Sequence, residues 1–146
     1  MAQIAGLKKG SSVPLEKPQI EKLKVYHPFI DRESKILFGD FVTLDQGTGI
    51  VHIAPGHGME DYVIGIEHGL DVYCPVDDEG RFTEDFPEMQ GIQVFDANSK
   101  VVDLLKEKKV LIHAFDIQHS YPHCWRCKEP LIFRAAEQWF FLVDHK

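Results

Sequence analysis

Pro55-Gly56 divides an apolar segment in two, and the division fixes what the surrounding chain can become. The stretch is Gly47-Thr48-Gly49-Ile50-Val51-His52-Ile53-Ala54-Pro55-Gly56-His57-Gly58-Met59-Glu60-Asp61-Tyr62. Ile50 and Val51 are β-branched and suit a strand. Proline has no N–H to give to a ladder, so that strand ends at Pro55. Gly49 punctuates it on the other side. Tyr62, Ile66 and Leu70 then follow at four-residue spacing, which predicts a helix over residues 59–69 with one apolar face. A strand, a glycine loop and a helix follow in that order. Polar groups at the end of such a strand can converge on a ligand without being buried unpaired.

The loop chemistry admits three readings. Asp61 at the start of the helix can hold a cationic group while His52 shapes a pocket. His52, His57 and Asp61 can ligate a metal as a hydrolase does, although the two histidines share no regular helical spacing. Alternatively, Asp61 only complements the positive helix terminus and the histidines are satisfied structural residues.

The flanking chain predicts a mixed architecture. Residues 1–18 contain Lys8-Lys9-Gly10-Ser11-Ser12, Pro14 and Pro18, a pattern of a flexible tail or junction. Leu23-Lys24-Val25-Tyr26 alternates as a strand that His27-Pro28 ends. Residues 35–44 predict two strands about a turn at Phe38-Gly39-Asp40, and Asp45-Gln46-Gly47 predicts a tight approach to the central strand. His27 fits either a pocket wall or simple packing. Residues 71–76 predict a strand closed by the acidic turn Asp77-Asp78-Glu79-Gly80, which lacks the ligand spacing of a calcium loop. Arg81-Phe82-Thr83 begins the return, residues 86–89 read as irregular, and Cys74 reads as a small buried hydrophobe. Residues 96–108 form the clearest helical pattern, with Asn98 as N-cap, Val101, Leu104 and Leu105 as the buried stripe, and lysines at the C-terminal end. Residues 110–113 predict one more strand. The sum is an α/β domain with a mainly β core.

Composition excludes several classes. A net charge of −7 argues against a module that grips a nucleic-acid backbone unaided. No apolar run approaches the ~20 residues of a membrane span, and no secretory signal pattern is visible. Three cysteines make no disulfide framework, which predicts a reducing, cytoplasmic setting. Two of them form Cys124-Trp125-Arg126-Cys127, half of the four-ligand set that a structural zinc site needs. His119 and His123 are near enough in sequence to compete as further ligands.

The central stretch resembles the editing-site motif of isoleucyl-tRNA synthetases, in the form His-x-Ala-Pro-Gly-His-Gly. His27-Pro28-Phe29 with Asp31-Arg32 resembles a second segment of that family. His119-Ser120-Tyr121-Pro122-His123-Cys124-Trp125-Arg126-Cys127, Ile132-Phe133-Arg134 and Gln138-Trp139-Phe140 resemble a third. The likeness runs over residues 23–141. It implies the β-barrel-like editing fold shared by the valyl, isoleucyl and leucyl enzymes, flanked by helices. It also implies a division into a tail (1–18), an editing body (19–118) and a return segment toward the synthetic core (119–146).

The resemblance implies a reaction: hydrolysis of the ester that joins valine to the 3′ end of isoleucine tRNA. One methylene supplies only about 1–3 kcal/mol of discrimination, for which these synthetases are themselves the standard illustration. Asp61 would anchor the α-ammonium of the valyl ester and His52 would limit the side-chain pocket. Thr48 and the backbone of Gly56, His57 and Gly58 would position the substrate. No serine or cysteine stands in a nucleophile setting, so the attacker would be water, activated by the ribose hydroxyl. The implied partners are the charged tRNA end and the rest of the synthetase chain. No cofactor is implied for the fragment, apart from zinc at Cys124 and Cys127 if another ligand pair is supplied. The chain lacks the family's threonine-rich pocket wall and both ATP-binding signatures. A fragment that binds the amino acid or the tRNA end without chemistry is therefore the rival reading.

Overall fold

The computed structural model describes residues 13–42 and 48–144. Helix α1 spans Lys17–Ile20, strand β1 Val25–Tyr26, strand β2 Glu33–Ser34, helix α2 Met59–Glu67 and helix α3 Ala97–Glu107; a single 3-10 turn covers Pro87–Met89. Strands β1 and β2 pair antiparallel, Val25 opposite Ser34 and Tyr26 opposite Glu33. No helix among the described residues is long and apolar enough to cross a membrane.

The core is small and lies off the central loop. Phe86, Met89 and Ala97 are buried, and Phe29, Phe82, Ile92, Val101 and Leu104 pack around them. Phe29 stacks on Phe86 with ring centroids 5.0 Å apart, and Phe82 meets Phe86 edge-on at 5.3 Å. Three distant pieces of chain thus meet at one ring: the turn after β1, the segment ending in the 3-10 turn, and α3. The segment expected to be irregular, residues 86–89, supplies two of the three buried core residues.

The helices match the apolar spacing, but their details differ. Helix α3 presents Val101 and Leu104 to the core as expected, with Leu105 partly buried beside them. Its N-cap is Asp96 rather than Asn98, because the helix begins two residues earlier, at Ala97, and no side chain caps it. Helix α2 does not bury the Tyr62–Ile66 face; those side chains are 42% and 54% exposed. It packs instead through Gly65, where an added Cβ would lie 2.6 Å from the Pro55 ring. Helix α1 falls partly within the stretch read as a tail. Pro18 sits in its first turn, where a missing N–H costs nothing, and Glu16 with Gln19 forms a capping box.

The expected strands fare differently. The acidic turn is a hairpin: Asp77 N–H donates to Arg81 at 2.9 Å, and the Asp77 carboxylate accepts from Glu79 and Arg81 N–H, each at 2.9 Å. Val76 bridges Phe82, and Arg81 bridges Gln93. The predicted strands at 50–53, 71–76 and 110–113, and the described part of 35–44, carry no ladder beyond the single Val76–Phe82 bridge. Strand formation needs a neighbour to take the backbone groups, and no described segment of this chain supplies one there. Thr43 and Asp45-Gln46-Gly47 lie outside the described residues, as do Lys8-Lys9-Gly10-Ser11-Ser12.

The chain exposes 12848 Å², whereas a compact chain of this mass exposes about 7,600 Å². Trp139 and Phe140 are 93% and 91% exposed. Burial of apolar surface is therefore far from complete within this chain.

Candidate functional site

The loop closes on Ala54. The Ala54 N–H donates to Asp61 Oδ2 at 2.9 Å, and the Ala54 carbonyl accepts the His57 N–H at 2.8 Å. Residues 54–61 therefore form one turn, tied at both backbone groups of a single residue. Gly58 takes the N-cap position of α2 with extended backbone, and its carbonyl accepts from Tyr62 N–H at 2.9 Å. A Cβ on Gly58 would sit 3.3 Å from the Asp61 carboxylate. Asp61 thus lies in the first turn of α2, half-buried, with Oδ2 committed to Ala54.

Gly56 is buried and admits no side chain. A Cβ there would come within 2.2 Å of the Tyr73 carbonyl oxygen and 2.8 Å of its carbon. The loop consequently lies flat against the 71–76 segment, and Cys74, half-buried beside it, fills the adjoining space.

The return segment completes the loop, which local sequence did not reveal. Ala135 N–H donates to the Gly56 carbonyl at 2.7 Å, and His57 Nδ1 lies 3.0 Å from the Phe133 carbonyl oxygen. Arg134, between them, pairs with Asp78 of the acidic hairpin. Residues 133–135 are therefore part of the site. The separation of 76 residues between His57 and Phe133 explains why no spacing rule finds the contact.

The other predicted residues take distinct places. Thr48 is exposed and exchanges hydrogen bonds with Ile50, its hydroxyl lying 3.2 Å from both the Ile50 N–H and the Ile50 carbonyl. His52 is exposed on the approach to the loop and lies near His27. His27 Nδ1 accepts the Ile30 N–H at 3.1 Å, so this residue builds the turn at His27-Pro28-Phe29. Burial holds the His27 imidazole below the ordinary value of 6.5, with smaller contributions from Arg32 and His52. Among the described residues, no three His, Cys, Asp or Glu side chains gather as a metal-ligand set. His52, His57 and Asp61 accordingly do not converge on one point.

A lowered histidine has a stability consequence. Above pH 6.5 the imidazole is neutral in both states and its contribution is fully present. As pH falls through the depressed folded-state value, the unfolded chain binds the proton first and stability is lost. Melting the chain between pH 8 and pH 5 should show a fall in Tm that His27→Asn reduces. Parallel curves for the two proteins would rule out the assignment.

Cys124 and Cys127 sit on a tight turn. Cys124 N–H donates to Glu129 at 2.8 Å, and Lys128 N–H to Cys124 at 2.9 Å. Lys128 adopts a φ of 64° to close it. The Cys127 backbone N–H holds the Cys124 thiol below its ordinary value, with Arg126 N–H and the Cys127 thiol adding to the effect. A knuckle that favours thiolate fits two corners of a zinc tetrahedron. His119 and His123 do not gather with the two cysteines as a ligand set; each ring directs Nδ1 to a backbone carbonyl, of Ser120 and Tyr121 respectively, at 2.9 Å.

No protein-family model matches the chain. Curated relatives do. The isoleucine–tRNA ligase of Brachyspira hyodysenteriae is 58% identical over 134 residues, covering 91% of this chain and 14% of the relative. That of Persephonella marina is 57% identical over 127 residues, covering 86% and 13%. That of Thermotoga maritima is 54% identical over 128 residues, covering 86% and 14%. The chain spans about a seventh of the length of the curated relatives it matches.

Proposed function

We propose, from the premise that this chain is homologous to one segment of isoleucine–tRNA ligases, that it is an editing segment which hydrolyses valyl esters of isoleucine tRNA. The observation that carries the reading is the self-closed turn of residues 54–61. It fixes one carboxylate, Asp61, at the mouth of a glycine loop with one oxygen bound to Ala54. The free edge of that carboxylate can take the α-ammonium of an aminoacyl ester as a charge-assisted hydrogen bond. His52 stands on the approach, where it would limit the side-chain pocket, and Thr48 lies near it in sequence. Backbone groups from Gly56 to Gly58 would position the terminal ribose.

The fold proposed for the segment within the longer protein is the β-barrel-like editing fold. Ladder partners for residues 50–53 and 110–113 would then come from outside the described residues. Zinc, if bound, would be held by Cys124 and Cys127 together with a second pair from elsewhere in the longer chain. There it would act structurally, and no catalytic step requires it. The proposed partners are the 3′ end of valine-charged isoleucine tRNA and the remainder of the ligase, in the cytoplasm. For the isolated chain, the unburied surface favours the second reading, binding without efficient turnover. The partial core supports only part of a pocket, and a misplacement of ~1 Å can cost about 100-fold in rate.

The test is selectivity. In a ligase containing this segment, valyl-tRNA should be hydrolysed and isoleucyl-tRNA spared. His52→Ala should enlarge the pocket, so that isoleucyl-tRNA is cleaved at least ~10-fold faster than by the parent, as expected where about one methylene is discriminated. If the parent spares both esters, the editing reading fails. If His52→Ala leaves isoleucyl-tRNA protected, His52 does not set the pocket size.

A further inference from the structure

We propose that His57 is a catalytic residue of this site, the base that takes the proton of the attacking water in place of the ribose hydroxyl; the proposal rests on the editing reading above. The geometry begins with Phe133. Its carbonyl oxygen can only accept, so the hydrogen bond of 3.0 Å to His57 Nδ1 places the proton on Nδ1. In the neutral ring Nε2 then carries the lone pair. A histidine anchored at one nitrogen by a backbone carbonyl, with the other left basic, has the arrangement of a general base.

His52, on the approach to the loop, is exposed, and a third nearby histidine has the opposite polarity. His27 Nδ1 accepts the Ile30 N–H, so its remaining nitrogen carries a proton and cannot receive another while neutral. His68, His119 and His123 also give Nδ1 to carbonyls, but they lie at the far end of α2 and on the return segment. Only His57 belongs to the turn that also carries Asp61. Ala54 ties the two together, its N–H to the carboxylate and its carbonyl to the His57 N–H. The His57 backbone is fixed further by Gly56, pressed on Tyr73 and held by Ala135 N–H at 2.7 Å.

The step balances without a cofactor. Water oxygen bonds to the ester carbonyl carbon while His57 Nε2 takes one water proton. The bond from that carbon to the ribose oxygen then breaks, and the ribose oxygen recovers the proton from Nε2. The products are the free amino acid and the free tRNA end, with the imidazole neutral again.

The experiment compares valyl-tRNA hydrolysis by a ligase containing this segment with its His57→Ala and His57→Gln variants, with and without added imidazole. The expected result is a fall in kcat of about 100-fold or more in both variants, with KM little changed, and partial recovery of His57→Ala in imidazole. Parent activity with both variants within threefold of it overturns the proposal and leaves the editing reading intact. A loss that imidazole does not restore assigns His57 to holding the loop and also overturns it. A parent without hydrolysis overturns both. The tautomer is read separately from the ¹⁵N shifts of His57 in this chain. Protonation at Nδ1 with unprotonated Nε2 supports the proposal, and the reverse overturns it.

Discussion

Asp61→Ala should reduce kcat/KM for valyl-tRNA hydrolysis by at least ~100-fold in a ligase containing this segment, more than any other single substitution outside His57. Two losses combine. The ammonium of the aminoacyl ester loses its counter-charge, and hydrogen bonds to charged groups are worth about 1.5–3 kcal/mol. The Ala54 N–H also loses its acceptor, which loosens the turn that aims the site. Asp61→Asn separates these effects. An amide oxygen can still accept from Ala54, so the turn survives while the charge is gone, and the expected loss is ~10-fold or somewhat more on that scale. Hydrolysis of radiolabelled valyl-tRNA at equal enzyme concentration measures both. If Asp61→Asn matches the parent, the carboxylate serves the loop and not the substrate. The fold is checked separately by circular dichroism, because a carboxylate in a first helical turn contributes about 0.3–1 kcal/mol and its hydrogen bond to the Ala54 N–H adds to that.

Phe86→Ala should be the most damaging change to this chain as a folded object. Phe86 is 5% exposed and is the ring on which Phe29 and Phe82 both pack. Truncating a buried phenylalanine costs about 3–5 kcal/mol, and three separate pieces of chain lose their common contact. The loss is a large share of a marginal stability, since only Val76, Phe86, Met89 and Ala97 are buried apolar side chains among the described residues. Phe95→Ala, at a ring 38% exposed, is the control and should cost much less. Urea titration followed by near-ultraviolet circular dichroism compares the two. Equal midpoints would show that the aromatic cluster is not what holds the chain together.

Local rules reached the helices and the hairpin, because their determinants lie within a few residues. The apolar spacing of Val101, Leu104 and Leu105 and the acidic turn before Arg81 are of this kind. They failed where the answer depended on a distant partner. Ile50 and Val51 have strand propensity, but no described strand pairs with them, and the Ile50 backbone groups turn to the Thr48 hydroxyl instead. Tyr62 and Ile66 share a helical face that the described residues leave about half exposed, while Gly65 makes the contact that matters. At the site, the loop and the helix after it were legible in Pro55-Gly56 and the helical period, whereas the strand expected before it is absent among the described residues. The hold of Asp61 on Ala54 N–H was not among the roles expected for that carboxylate. The parts played by Phe133 and Ala135 were invisible, because a backbone carbonyl or N–H carries no side-chain signature.

The clamp of the return segment on the loop sets an order in time. A ribosome releases residues 54–61 well before it has made Phe133, 76 residues downstream of His57. During that interval the Gly56 carbonyl and the His57 ring must satisfy themselves with water. Closing so long a loop carries an entropy cost that rises only slowly with length, about 0.6 kcal/mol per doubling. The delay is therefore kinetic more than energetic. Maturation of the site is a late event of biosynthesis, and a nascent chain stalled before Phe133 carries every residue of the glycine loop without its final shape.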